Sequence, residues 1–386
     1  MQVGFQSLFS VRLSAPLRLE VQAPDIPEQI AALPATSGIY LLTGNGKPPH
    51  ISWSANLPRR LKRLLFSSAT GSTSVIGQLR RAFDAVECWP TGSKLETSLL
   101  LYRLTKVYFP ADYVFRLRLR MPWLVGLTES DPFPRVTVTN RIPRKSGVQF
   151  GPFPTREGAQ HYQEQVLSLF QIRRCTEVLS PAPEHPGCIY GEMNQCLRPC
   201  QCAVTGEEYS SEVRRVADFL STNGKGPIAV LSAARDRAAA QTDFEEAAHI
   251  HKRIEKMSEA AALRPEVITD ISAFNGIALT PAIQARQFRL WPIIAGHWQE
   301  PLTLDFSTEN ARAQSLDRDL REQLQNALAM PLIDGNPIEE LAIFSRWYYS
   351  SWRDGEWFPF RTLEGLNYRR LVREISNLVK KSSAPE

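Results

Sequence analysis

The chain has 386 residues, of which 43% are hydrophobic and 22% charged. These proportions fit a globular protein of two or three domains and exclude a disordered, collagenous or coiled-coil chain. The net charge of +5 is unevenly spread: residues 50–180 carry 19 Lys and Arg against 9 Asp and Glu, which leaves −5 for the remainder, so a polyanionic partner for the basic part is expected.

Residues 1–33 read as an irregular or weakly extended lead-in. Gly38-Ile39-Tyr40-Leu41-Leu42 is a β-prone run, Asn45-Gly46 favours a tight hairpin turn, and residues 50–53 supply the return strand. Asn56 is a candidate N-cap for a helix with Pro58 in its first turn. Leu57, Leu61, Leu64 and Leu65 share one face of that helix, and Arg59, Arg60, Lys62 and Arg63 lie off it. Residues 78–86 read as a short helix and 95–108 as a longer one ended by Pro110, with Glu96 in its first turn. Arg116, Arg118 and Arg120 alternate with Leu117 and Leu119; on a strand over 113–123 the three arginines would form one row suited to phosphates. A strand over 135–139, a basic turn through Arg141, Arg144 and Lys145, an aromatic turn at 150–154 and a helix over 157–170 follow.

Five of the six cysteines fall within 28 residues: Cys175, Cys188, Cys196, Cys200 and Cys202. Met1–Glu20 has no apolar core of a secretory signal, and no apolar run approaches the roughly 18 residues of a bilayer span. A cytoplasmic chain without a membrane partner is therefore expected, where clustered cysteines mean metal or redox chemistry more often than disulfides. One short pair, Cys196 and Cys200, with two distant thiols suits either zinc or iron. Cys88 reads as a small buried hydrophobe.

Helices are expected over 210–220, 228–240 and 244–262, with a loop at 221–227. The last two flank a short turn with Asp243 as N-cap and form a helical hairpin. Strand-like runs return at 268–279, 284–295 and 302–306, and helices at 311–329, 338–349 and 368–381.

Five features, taken in order, resemble UvrC, the incision-subunit family of excinuclease ABC. They are Gly38-Ile39-Tyr40 with the hairpin and Asn56-Leu57-Pro58-Arg59-Arg60-Leu61; Glu96 before Leu99–Leu101; Phe133-Pro134-Arg135 with the aromatic turn; Cys175, Cys188 and Cys196-Leu197-Arg198-Pro199-Cys200; and Phe244-Glu245-Glu246-Ala247-Ala248. The match runs from about residue 34 to 262. It implies an N-terminal GIY-YIG-like nuclease domain, a [4Fe–4S] cluster on Cys175, Cys188, Cys196 and Cys200 with zinc as the alternative, and a UVR-like hairpin that meets a UvrB-like protein through Phe244, Glu245, Ala247 and Ala248. The second half of the nuclease signature departs from the family: His50, Ser52 and Trp53 stand where a tyrosine, a glycine and a lysine are usual. Nothing after Phe306 resembles the family's second nuclease domain, so one incision rather than two is expected.

The resemblance implies catalytic roles for Tyr40, His50, Arg60 and Glu96. Glu96 would hold Mg²⁺ or Mn²⁺, Arg60 would neutralise the phosphate, Tyr40 would orient water, and His50 would act as base. Arg59, Arg63, Arg116, Arg118 and Arg120 would contact double-stranded DNA. The first functional reading is a metal-dependent endonuclease making a single cut in damaged DNA during nucleotide excision repair. The alternative is a catalytically degenerate DNA-binding accessory or scaffold of a repair complex. The fold class expected is α+β and multidomain: lead-in 1–33, a small GIY-YIG-like sheet with helices at 34–112, a basic and cysteine-cluster domain at 113–209, a helical region with the hairpin at 210–262, and a mixed α+β region at 263–386.

Overall fold

The computed structural model describes residues 16–44, 46, 48–66, 82–128, 131–142, 147–306, 316–328 and 335–382. Asn45 of the expected turn, residues 78–81, Arg144 and Lys145, and residues 311–315 and 329 of an expected helix lie outside them. The chain is α+β and forms two compact units: Met1–Arg120 with Asn275–Glu386, and Met121–Phe274.

The first unit begins with β1 (Leu17–Glu20) and helix α1 (Ile26–Ala31), followed by β2 (Gly38–Thr43), β3 (His50–Ser54), α2 (Leu57–Phe66), β4 (Ala85–Pro90) and α3 (Lys94–Tyr108). The strands form one antiparallel sheet in the order β1-β4-β2-β3. Part of the expected lead-in is therefore an edge strand. Of the short helix expected over 78–86, residues 78–81 lie outside the described residues, Ala82 is helical, and the last two positions belong to β4, whose β-branched and aromatic members Val86 and Trp89 pair with Leu42 and Ile39. Because strand residues alternate between faces, Tyr40, Leu42, Val86 and Cys88 point to one side and pack with Leu57, Leu61 and Leu65 of α2. Ile39, Leu41 and Trp89 point to the other and pack with Leu100 and Leu104 of α3. Gly38 is required where it stands: a Cβ there would meet Leu57 Cδ1 at 2.4 Å and the Trp89 carbonyl at 2.5 Å.

The row of arginines after α3 is not a strand. Tyr113–Arg116 is a helical turn, and Arg118 takes a left-handed φ of 49° that breaks the alternation. Local chemistry accounts for it: the Asp112 carboxylate accepts from Arg116 Nε at 2.8 Å, a pairing at helical spacing. The Arg116 guanidinium lies 3.9 Å from the Phe109 ring centre.

The second unit holds β5 (Trp123–Leu127), β6 (Val136–Thr139) and β7 (Gln149–Phe153), then α4 (Arg156–Leu169), α5 (Gly206–Thr222), α6 (Lys225–Ala240), α7 (Phe244–Ala262) and the two-residue β8 (Thr269–Asp270). Its sheet order is β6-β5-β7-β8. The loop expected at 221–227 shrinks to Asn223 and Gly224, both left-handed. Thr205 and Glu208 form a capping box at the start of α5, and Asp243 caps α7 through its side chain.

The first unit resumes with β9 (Gly276–Pro281), β10 (Gln287–Ile294), β11 (His297–Trp298), β12 (Leu302–Asp305), α8 (Leu316–Leu328), α9 (Pro337–Tyr348), β13 (Glu356–Pro359) and α10 (Tyr368–Ser382). The strand expected over 268–279 is thus interrupted by a 3₁₀ turn at Ile271–Ala273. The antiparallel order is β11-β10-β9-β13, with β12 also on β10. Leu279, Leu290 and Phe358 of this sheet pack with Leu320 and Leu324 of α8 and Leu371 and Ile375 of α10.

Candidate functional site

Tyr40, His50 and Arg60 come together on the α2 side of the first sheet. Tyr40 is fully buried, and Arg60 Nε donates to its hydroxyl at 3.3 Å. His50 sits opposite Leu42 on β3, with its ring 6.2 Å from that of Tyr40. Desolvation, then the Arg60 charge, lowers the His50 pKa below its ordinary value, so the imidazole is neutral at pH 7. Ser52 lies opposite Tyr40, and Trp53, opposite Ile39, points to the other face.

Glu96 does not join them. It stands one helical turn before Leu100, on the side of α3 that packs against Ile39, Leu41 and Trp89. The sheet therefore separates its carboxylate from Tyr40. It is 4% exposed and fully engaged: one oxygen accepts the Gly92 N–H at 2.9 Å, and the other is ion-paired with Arg289 of β10. Burial raises its pKa, while Arg289 and the Gly92 N–H oppose the rise. A carboxylate placed this way braces α3 against the second sheet of its unit. Its expected use as the Mg²⁺ or Mn²⁺ ligand beside Tyr40 and Arg60 does not match this geometry.

Arg59 and Arg63 are exposed on α2, and Arg118 and Arg120 are exposed in the segment before β5. Arg116 is exposed but paired with Asp112.

In the second unit, Cys175 follows α4, Cys188 precedes the helical turn Ile189–Glu192, and Cys196 and Cys200 flank a tight turn in which Arg198 is left-handed. Cys196 and Cys200 are buried, whereas Cys202 is exposed. The thiols feel one another: burial first, then Cys188 and Cys175, push Cys196 and Cys200 above the ordinary thiol range. The Arg198 N–H donates to Cys196 Sγ at 3.4 Å. Arg173, itself buried, reaches Cys175 Sγ at 3.7 Å, donates to the Phe133 and Glu177 carbonyls, and is ion-paired with Asp131. Among the described residues, no group of three or more His, Cys, Asp or Glu side chains is positioned to hold a metal ion. As donor chemistry alone, four thiols on neighbouring turns, with N–H groups donating to Cys175 and Cys196 Sγ, are of the kind a soft metal takes.

On the hairpin of α6 and α7, Ile250, Ile254 and Met257 are buried, and Phe244, Glu245 and Ala248 are exposed. Ala247 is half-buried.

Sequence reasoning missed Arg289 and Arg173. Arg289 meets its partner across 193 positions, a distance no local pattern encodes. Arg173 lies two residues before the first clustered cysteine, which was the available signal.

These features describe a multidomain α+β protein with a small antiparallel sheet, a segment rich in thiols and a helical hairpin. Residues 122–219 match the model of the UvrC/Cho excinuclease middle domain. The chain is similar to the UvrABC system protein C of Acetivibrio thermocellus, with 24% identity over 84% of this chain and 52% of that protein. It is also similar to those of Oleidesulfovibrio alaskensis, 26% over 66% and 36%, and Alcanivorax borkumensis, 29% over 56% and 35%. The chain thus spans about half or less of the length of the curated relatives it matches. No solved structure matches it. No described helix is long and apolar enough to cross a membrane.

Proposed function

We propose that this chain is a UvrC-related protein of nucleotide excision repair that binds double-stranded DNA and a UvrB-like partner, and whose GIY-YIG-like domain holds DNA without cutting it. The observation that carries this reading is the placement of Glu96, across the sheet from Tyr40, His50 and Arg60 and committed to Arg289 and Gly92. Single-metal hydrolysis needs an oxygen ligand beside the scissile phosphate, and Glu96 cannot serve there without giving up its ion pair.

A second reading, metal-dependent nicking, is favoured by the Arg60–Tyr40 hydrogen bond and the neutral imidazole beside it, which together resemble an oriented water-activating group. One set of assays separates the two. Under the first, the protein binds damaged and undamaged duplexes with a steep salt dependence, a log–log slope of about −5 for roughly six phosphates, and leaves them uncut with Mg²⁺ or Mn²⁺. Metal-dependent nicking that is lost in Arg60→Ala would establish the second instead.

The thiols support a resident [4Fe–4S] cluster on Cys175, Cys188, Cys196 and Cys200, with zinc as the alternative. When bound, such a cluster would cross-link the loop after α4 to the 188–200 turns. Arg173 and the Arg198 N–H would donate to its sulfurs. A UvrB-like protein would meet the exposed end of α7.

A further inference from the structure

The first unit contains a cavity of about 600 Å³ that none of the roles above uses. Trp53, at the end of β3, and Trp352, after α9, supply two indoles to its lining; Leu101 and Tyr102 of α3 and Ile343 of α9 supply further apolar wall. Trp53 and Ile283 are exposed at this surface. Gly92 builds one wall by letting two backbones touch: a Cβ there would lie 2.2 Å from the Ala282 carbonyl carbon.

The polar lining is mostly satisfied. Thr91 and Thr97 share a hydrogen bond between their hydroxyls at 2.6 Å, Ser98 donates to the Lys94 carbonyl, and Asp354 accepts from the Lys94 N–H and from Trp347 Nε1. Two cations remain at the edge. Lys94 Nζ lies 5.5 Å from the Trp352 ring centre, and Arg346 is exposed. The N-terminal turn of α3, the positive end of a 15-residue helix, opens into the same space.

Apolar walls, two indoles and rim cations suit a planar aromatic ligand carrying an anion. A cavity of this size is in the range of small-molecule sites and cannot admit a duplex. We propose that it binds one unpaired nucleobase with its attached phosphate, the base stacked on Trp53 or Trp352 and the phosphate turned to Lys94 and Arg346. An unpaired position in DNA and a free nucleotide present the same chemistry. The DNA source rests on the DNA-binding reading above, while the pocket itself does not.

The test is photocrosslinking of the full chain with 5-iododeoxyuridine, whose excited base couples to a stacked aromatic ring. Three probes are compared: a duplex with the analogue in a single-nucleotide bulge, the same duplex fully paired, and free 5-iodo-dUMP. Crosslinks are mapped by mass spectrometry, and duplex affinity is measured by anisotropy on the same samples. The expected result is a bulge-specific crosslink at Trp53 or Trp352. Trp53→Leu, at an exposed position, should weaken bulged-duplex binding by about tenfold and leave paired-duplex binding unchanged, as loss of one base–aromatic stack requires. Trp352→Leu serves as the second variant. Crosslinking of the free nucleotide at the same indoles, without duplex binding, would uphold the pocket and overturn its DNA source. Crosslinks elsewhere, or none, with duplex affinity intact and unmoved by either variant, would overturn the pocket and leave DNA binding standing. No binding of any of the three probes would overturn both.

Discussion

At the scale of single residues, Glu96 can be assigned by the direction in which its loss acts. As a structural partner of Arg289, its replacement leaves a half-buried guanidinium uncompensated. Breaking a buried pair from one side costs roughly 3–5 kcal/mol, so Glu96→Gln should lower unfolding stability by about 2–3 kcal/mol once the partial exposure of Arg289 is discounted. A double variant, Glu96→Leu with Arg289→Leu, should recover much of that loss. A carboxylate kept for a metal would behave oppositely, with little change in urea midpoint for Glu96→Gln. The thiols make a second residue-scale prediction. Cys196→Ser should give a colourless protein with a loosened 188–200 segment, while Cys202→Ser, at the exposed thiol, should keep the visible absorbance of anaerobically purified protein. Colourless wild-type protein carrying stoichiometric zinc would remove iron from the account. Tyr40 and Arg60 were legible as neighbours because their signal lies in local spacing. The role of Glu96 was not, because an acidic residue in a first helical turn looks the same whether it caps, braces or coordinates.

Among secondary-structure elements, α9 carries a buried acidic pair whose ionisation should be felt in stability. Glu339 accepts from the hydroxyls of Tyr102 and Tyr113. Glu340 accepts the Trp298 N–H and faces Arg103, Lys106 and His297. Desolvation, opposed by that N–H and by Arg103 and Lys106, pushes Glu340 up to about 7. Its folded-state value thus lies above its unfolded one, so its contribution is fully present below about pH 4.5 and is lost as pH rises through about 7. Glu340→Gln should flatten the stability profile between those limits, by an amount on the order of 3 kcal/mol, and should stabilise the protein most above pH 7. An unchanged slope in urea titrations across that range would place the dependence elsewhere. Helical periodicity made α2, α3, α6, α7 and α9 readable to within a few residues. The arginine row failed because period-two alternation over five residues, 116–120, competed with an Asp112–Arg116 pair at helical spacing, and the helical pairing won. The end of the helix expected over 78–86 overran into β4, because a strand buried on both sides shows no clean alternation.

For the molecule as a whole, the chain returns after Phe274 to complete the unit in which it began. Two sheets separated by the entire middle unit leave no joint pattern in the sequence, so the pairing of Glu96 with Arg289 and of Tyr102 with Glu339 was beyond its reach. The hairpin is the part for which an outside partner is proposed. Its inner face is used: Ile250, Ile254, Met257 and Ala260 are buried. Its outer face leaves Phe244 69% exposed and Ala248 open, an aromatic that the packing of the hairpin within its own unit does not use. A matching hairpin on a UvrB-like protein would cover it in a four-helix arrangement. Phe244→Asp adds an acid at the first position of α7, where the helix dipole tolerates it, so stability should move by no more than about 0.5 kcal/mol. Association in a pull-down should nevertheless fall at least tenfold, because exposed aromatics at the centre of an interface carry much of its energy. Ala248→Glu should act in the same direction by steric and charge mismatch, with duplex affinity unchanged in both variants. Binding that survives both substitutions would move the partner to another surface, and the DNA-binding reading would stand without it.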